Sequence, residues 1–372
     1  MAVPKETIWQ LDPHTAAKHD LLKKYLQPWS LILLSQHDTV TYAEGFAGPG
    51  IYTKGEPGSP IVAHAVFADT LRQRPKNIRM VLVEEDGRRV AELHRQVGRA
   101  RQRTGSQRLT TAIHQGTCHP LLIHELRTEG RLGRPLFVLL DSYGGPDIPF
   151  ELLKELARYP STEVLITFVP SFLTRFAEKN DMHRSAGNVA FGSTDWQAVF
   201  TRRPDEKFTF LRDQYRITLR RAGFSHALYF EMVDEGGHPL YLLFGTSHAR
   251  GLEKMKDAMW SVDSDHGVRY RDPKDLQQQQ LELEMEPDTG PLRRILRDHI
   301  ASSPNGRTVA ELKKYTLLET VYRPAQVTAL VRQMRNDRLV ATEPYKVTSE
   351  TIVLPYVPDT DPKPRYDQGA FF

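Results

Sequence analysis

Two rhythms alternate along the first 270 residues. Short runs that are apolar at nearly every position, such as IRMVLVEED (78–86) and RPLFVLLDSYG (134–144), are separated by stretches in which apolar residues recur every three or four positions. The first pattern predicts buried strands and the second amphipathic helices. From Thr15 to Leu34, Leu21, Leu22, Tyr25, Leu26, Trp29, Leu31 and Leu34 form one apolar side, with Lys18, Lys23 and Lys24 opposite. Pro28 predicts a kink there, or a split into two helices. A strand at Val40 to Glu44 comes next, followed by the helix GSPIVAHAVFADTLRQR with Ser59 as N-cap and Pro60 at the first helical position. Further strands fall at 109–114 and at EVLITFVPS, with the helices GRRVAELHRQVGRARQR, GTCHPLLIHELRTEG and PFELLKELAR between the strands.

Strands apolar on both faces and alternating with helices indicate a parallel sheet covered on both sides, an α/β doubly wound, Rossmann-like domain. HALYFEMVD and PLYLLFGTSH are separated only by EGGH, too short a link for a crossover helix, so this pair is expected to be antiparallel. A mostly parallel sheet finished by an antiparallel hairpin is the outline of the methyltransferase variety of that fold. From Pro291 the pattern changes to three short helices, PLRRILRDHIASS, TVAELKKYTLL and RPAQVTALVRQMRNDRL, followed by two strands in LVATEPYKVTSETIVLPY. That order predicts a small winged-helix domain. The expected organisation is a Rossmann-like domain over 1–275, a linker over 276–290 containing the Gln277 to Gln280 run and acidic residues, a winged helix over 291–357, and a mobile tail over 358–372.

Composition narrows the chemistry. The chain has 372 residues, 40% of them hydrophobic, and a net charge of +4. No apolar run reaches the roughly 20 residues of a membrane span, and MAVPKETIWQ lacks the apolar core of a signal peptide, so a cytoplasmic protein is expected. The single cysteine, Cys118, excludes an internal disulfide and a Cys-rich zinc or iron–sulfur site built by this chain alone. His114, His119 and His124 have no metal-like spacing, so no metal site is assigned. The arginines at 88, 89, 95, 99, 101, 103 and 108 read either as a solvated helix face or as a phosphate-contacting one.

Candidate chemistry collects at the strand ends, because ligands in doubly wound sheets bind beyond the carboxyl ends of the strands, where the strand order reverses. Three ends carry notable groups: Glu44 with Phe46, Gly48 and Gly50; Glu84 with Glu85; and Asp141 with Tyr143. Gly48 and Gly50 let backbone amides approach a ligand, and an acid ending the second strand is placed to accept from ribose hydroxyls. The loop has neither the full dinucleotide pattern nor Gly-Lys-Ser/Thr, which favours a nucleoside without a phosphate to neutralise, such as S-adenosylmethionine.

The loop Glu44-Gly-Phe-Ala-Gly-Pro-Gly50 resembles the Asp-x-Phe-Ala-Gly-x-Gly loop of S-adenosylmethionine-dependent methyltransferases. His14-Thr15, Lys18-His19, Tyr25-Leu26, Trp29, Gly58-Ser59-Pro60, Asp141-Ser142-Tyr143-Gly144 and Thr246-Ser247-His248 through Met259-Trp260 add to it. Together, over about residues 10 to 265, they resemble the three-Cys-motif partner family. The resemblance implies a methyltransferase-like fold and a radical-S-adenosylmethionine partner that carries the cysteines. Glu44 stands where that family usually has Asp, and Ser142 where it usually has Pro. Asp141-Ser142-Tyr143-Gly144 is a partial likeness to the motif of amino-methyltransferases of DNA, which implies that Asp141 orients the nucleophile and Tyr143 stacks on an extruded base. Asp141 and Gly144 merely shaping a turn is the competing reading. His14 and Lys18 share a helix face that could line the cofactor mouth, and His183, Arg184 and Asn188 fall where recognition segments are often inserted. On the third helix of the C-terminal domain, Arg323, Gln326, Arg332 and Arg335, with Lys346 on the wing, are the expected contacts to DNA or RNA. Two other functions stay open: a catalytically silent nucleic-acid-binding or recruiting subunit, and a nuclease holding divalent metal on Glu44, Glu84 and Asp141.

Overall fold

The computed structural model describes residues 6–142, 146–233, 239–262, 269–271 and 289–356. The chain divides into two units, Met1–Pro287 and Asp288–Phe372. Most of the expected linker, the tail beyond 357 and Tyr143 lie outside the described residues.

In the first unit, α1 (Pro13–Gln36) precedes β1 (Thr39–Glu44), α2 (Ser59–Gln73), β2 (Asn77–Glu84), α3 (Gly87–Thr104), β3 (Leu109–Gln115) and α4 (Cys118–Thr128). There follow β4 (Leu136–Leu140), α5 (Phe150–Ala157), β5 (Thr162–Phe168), α6 (Asp181–Phe191), α7 (Lys207–Ala222), β6 (His226–Val233), β7 (Pro239–Thr246), α8 (Ala249–Val262) and β8 (Arg269–Arg271). The sheet order is β3-β2-β1-β4-β5-β7-β6-β8. Strands β1 to β5 are parallel, and β7 is antiparallel to both β5 and β6. This is the Rossmann-like methyltransferase fold, and its order reverses between β1 and β4.

Burial follows from side-chain alternation. Phe137 and Leu139 face α1 and α2, whereas Leu136, Val138 and Leu140 face α4 and α5. β4 and β5 are buried at every position, as central strands must be, while β3 at the edge is mostly half-exposed. An aromatic cluster seats α1 on the sheet: Tyr25 and Trp29 pack against Phe137, with ring centroids 5.4 and 5.9 Å away. That seating explains why Pro28 does not split the helix. α1 runs unbroken for 24 residues because its buried face continues on both sides of the proline. The start of α2 also differs from expectation: Gly58 is the N-cap, and the Ser59 hydroxyl donates to Glu44 Oε2 at 2.8 Å instead.

In the second unit, α9 (Gly290–Ala301), β9 (Arg307–Thr308), α10 (Val309–Glu319), α11 (Pro324–Asn336), β10 (Val340–Glu343) and β11 (Ile352–Pro355) make three helices and a small antiparallel sheet of order β10-β11-β9. Thr308 and Glu311 form a reciprocal capping box that fixes the start of α10.

Gly45 lies directly over the start of α4. A Cβ there would sit 2.3 Å from Cys118 Sγ and 2.9 Å from Leu140 Cδ2. Gly45→Ala should therefore destabilise the first unit by about 1–3 kcal/mol through overpacking. The urea midpoint read by tryptophan fluorescence checks this, since all four tryptophans lie in that unit.

Candidate functional site

The loop after β1 turns over the carboxyl ends of the strands with Gly48 at φ 63° and Gly50 at φ 75°, backbone conformations that glycine adopts without strain. Two buried carboxylates hold it. Glu84 Oε2 accepts from the Gly48 amide at 2.8 Å, and its Oε1 accepts from the Asp86 amide at 3.0 Å. Glu44 accepts from the Tyr42 and Ser59 hydroxyls. Asp86 in turn caps α3 through the Arg88 and Arg89 amides.

Beside the loop lies a cavity of about 350 Å³. Phe46, Gly48 and Gly50 form one wall, and Asp141, Ser142, Thr167 and Val169 at the ends of β4 and β5 form another. The third wall is N-terminal: Trp9, Asp12, Thr15 and Lys18. Trp9 is held by its carbonyl, which accepts from the Thr53 amide at 3.0 Å, by an edge-on contact with Tyr52 and by the Arg89 guanidinium 4.9 Å from its ring.

Lys18 reaches across the cavity to Asp141, Nζ to Oδ2 at 2.6 Å. Burial by itself would raise the Asp141 carboxyl, but the charge and hydrogen bond of Lys18 override it and hold Asp141 below the usual carboxylate range. Half-buried His19 is lowered to about 4 by desolvation and by the neighbouring Lys18, against the pull of Asp141, so it is neutral near pH 7. Burial pushes Glu44 up to about 8, with Asp141 adding to the rise and the Tyr42 and Ser59 hydrogen bonds opposing it. The cavity therefore holds an ionised carboxylate against an ammonium, and a carboxyl that is mostly protonated at neutral pH lies beneath its loop.

Of the residues singled out from sequence, Phe46, Gly48, Gly50 and Asp141 share this cavity. Glu44 and Glu84 do not line it; they lie beneath the loop and support it. Glu85 is exposed outside it. Glu44, Glu84 and Asp141 are committed to different partners, and among the described residues no group of three His, Cys, Asp or Glu side chains is placed to hold a metal ion. The arrangement required for the nuclease reading is thus missing there. Lys18 proves to be a cleft residue, while Trp9, Asp12 and Tyr52 were not singled out because they precede or follow the periodic segments. The tryptophan in IWQLDPH, an isolated large ring in a polar stretch, was the available signal.

The arginine run divides. Arg88, Arg89 and Arg95 face Asp86, Glu84 and Glu92, whereas Arg99, Arg101 and Arg103 are exposed with no ion pair among the described residues. In the second unit, Arg332 and Lys346 are exposed. Gln326 is otherwise engaged: its Oε1 accepts from the Arg323 amide at 2.8 Å and caps α11. Arg335 lies 3.8 Å from the Tyr345 ring and donates to the Tyr345 carbonyl, which ties the turn after β10 to α11.

No protein-family profile matches the chain, and no curated protein does. Solved structures similar to it include an O-methyltransferase from Bacillus cereus in complex with SAH, at 13% identity and TM-score 0.33, covering 60% of this chain and 80% of that one. The METTL16 MTase domain is similar at 13% identity and TM-score 0.30, covering 60% and 66%. Precorrin-6y C5,15-methyltransferase from Geobacter metallireducens GS-15 is similar at 11% identity and TM-score 0.28, covering 60% and 87%. At these scores the fold assignment rests on the strand order itself. No helix among the described residues is long and apolar enough to cross a membrane.

The raised Glu44 has a consequence for stability. Its ordinary value is about 4.3, so the folded state binds this proton more tightly than the unfolded chain does. Its contribution is full at low pH and is lost as pH rises toward and through 8. Glu44→Gln should flatten the fall in stability between pH 5 and pH 8.5 by a few kcal/mol, because each tenfold difference in proton affinity between the two states is worth about 1.4 kcal/mol. Urea denaturation at a series of pH values measures it.

Proposed function

We propose that the chain binds S-adenosylmethionine in this cavity and acts as a methyltransferase-like protein on nucleic acid. The observation that carries the reading is the juxtaposition of a glycine loop with opposite charges at the point where the strand order reverses. The methionine end of the cofactor carries a carboxylate and an ammonium. Lys18 suits the first, and Asp12 suits the second. Gly48 and Gly50 give the ligand access to backbone amides, and Glu84 acts on the site through Gly48. When bound, S-adenosylmethionine supplies an electrophilic methyl group. Asp141, kept ionised by Lys18, is the group that accepts a hydrogen bond from the incoming nucleophile, with Tyr143 as the stacking ring of the same motif.

The second unit supports the nucleic-acid part of the reading. Its helix-strand-helix-helix-strand-strand order agrees with the winged helix expected from sequence, a module whose third helix enters the major groove. Arg332 and Lys346 supply exposed cations for phosphates, Arg323 stands at the helix start, and Arg335 braces the wing beside them. Gln326 serves as a cap more than as a base reader. The likeness of the sequence motifs to the three-Cys-motif partner family extends the proposal to a radical-S-adenosylmethionine protein as partner, acting in modification or repair of DNA or RNA in the cytoplasm. One observation favours a silent recruiting subunit instead: the Asp141 carboxylate is already engaged by Lys18 at 2.6 Å.

Calorimetry with S-adenosylmethionine and S-adenosylhomocysteine tests the core of the proposal. Wild type is expected to bind, and Lys18→Met to bind at least tenfold more weakly, the loss of one charge-assisted hydrogen bond of about 1.5–3 kcal/mol. Absence of binding by wild type sinks the proposal. Methyl transfer from labelled cofactor to nucleic acid then separates the enzyme from the silent subunit. Truncation after residue 287 should weaken binding to oligonucleotides and reduce the slope of log affinity against log salt.

A further inference from the structure

Between β5 and α7 the chain builds a helical segment that presents apolar side chains in two directions. Leu173 and Ala177, and Gly187, Ala190 and Phe191 on α6, face inward and are buried. Phe172, just before the short π-type turn at Leu173–Ala177, is half-buried with one side packed on that core, and Phe176 on the turn is exposed. Of the four large apolar side chains most exposed in the described part of the first unit, three belong here: Phe176 at 49%, Met182 at 70% and Val189 at 54%. The sheet is already covered without them, so their exposure marks a contact surface more than a packing residue.

The rings are arranged together. Phe172 lies 5.4 Å from Phe176 and 5.0 Å, edge-on, from His183, and Phe176 lies 5.8 Å from His183. Arg175 and Lys179 are exposed beside them, and neither is in an ion pair among the described residues. The patch is linked to the cleft along the chain, since Phe172 follows by three residues Val169, which lines the cavity with Thr167.

We propose that Phe172, Phe176 and His183 form a stacking platform for an unpaired nucleobase delivered to the cleft, with Arg175 and Lys179 contacting the flanking phosphates. The proposal rests on the nucleic-acid reading above and adds the form of the substrate: a single-stranded or extruded nucleotide. Aromatic faces interleaved with cations are the means by which proteins hold single strands without reading sequence, since every base has a π-face. A base must leave its stack before chemistry can reach it, and an aromatic platform stabilises that state. A protein surface would also cover apolar side chains, but it does not call for two exposed cations beside the rings with no ion pair among the described residues.

The test is fluorescence anisotropy of the full chain with one labelled oligonucleotide, single-stranded and as a duplex. Phe172→Ala/Phe176→Ala is expected to weaken single-strand binding by roughly 5- to 150-fold, the equivalent of about 1–3 kcal/mol for one stacked base, and to leave duplex binding unchanged. Phe176→Trp is expected to retain wild-type affinity. Arg175→Glu/Lys179→Glu, which touches no core residue, should reduce the single-strand salt slope by more than one unit, at about 0.7 per phosphate contact. If wild type binds neither oligonucleotide, the nucleic-acid reading itself fails. Wild-type binding with both double variants unaffected overturns the platform alone and leaves the patch to a protein partner.

Discussion

The glycine loop keeps its shape because two buried carboxylates grip it from below. Glu84 accepts from the Gly48 amide, and Glu44 accepts from Ser59 at the first turn of α2. Without these acceptors, buried donors next to the loop would lack partners, at about 1–3 kcal/mol each. The two acids differ in environment. Glu84 lies against the Arg89 guanidinium at 3.9 Å, whereas Glu44 accepts from two hydroxyls and is pushed by burial toward its protonated form. One loop is therefore supported by a paired carboxylate on the β2 side and by a carboxyl of near-neutral titration on the α2 side.

Across the cavity the Lys18–Asp141 pair plays the corresponding part. It ties α1 to the end of β4, so the helix that closes one face of the sheet also supplies a wall of the site. The aromatic seating of α1 makes this possible: with Tyr25 and Trp29 fixed on Phe137, the first turns of the same helix bring Thr15 and Lys18 to the strand ends. The pair leaves the site with an internal competitor for either charge. A ligand with an anionic and a cationic end meets both of its counterparts already desolvated and oriented.

The second unit shows how local structure limits what a polar side chain is free to do. Gln326 and Arg335 sit on α11, but one caps its start and the other braces the following turn through Tyr345. Arg332 and Lys346, with no such duty among the described residues, are exposed. Division of this kind is invisible in a helical wheel, because a capping or bracing role depends on the path of the backbone outside the helix.

Hydrophobic periodicity determined the alternating α/β order, the antiparallel closing hairpin, the three-helix second unit and the position of the glycine loop, since burial on both faces or on one dictates the spacing of apolar residues. It placed Gly48, Gly50 and Asp141 at strand ends that the structure brings around one cavity. It offered Lys18 for the cleft but could not tell that Glu44 and Glu84 turn under the loop, or that Trp9 closes one wall. Nor could it tell that Pro28 leaves α1 whole, because packing against the sheet outweighs a missing hydrogen bond. Spacing along the chain fixes which face a residue lies on; only tertiary contacts decide whether a charge there meets a ligand, a backbone amide or an opposite charge.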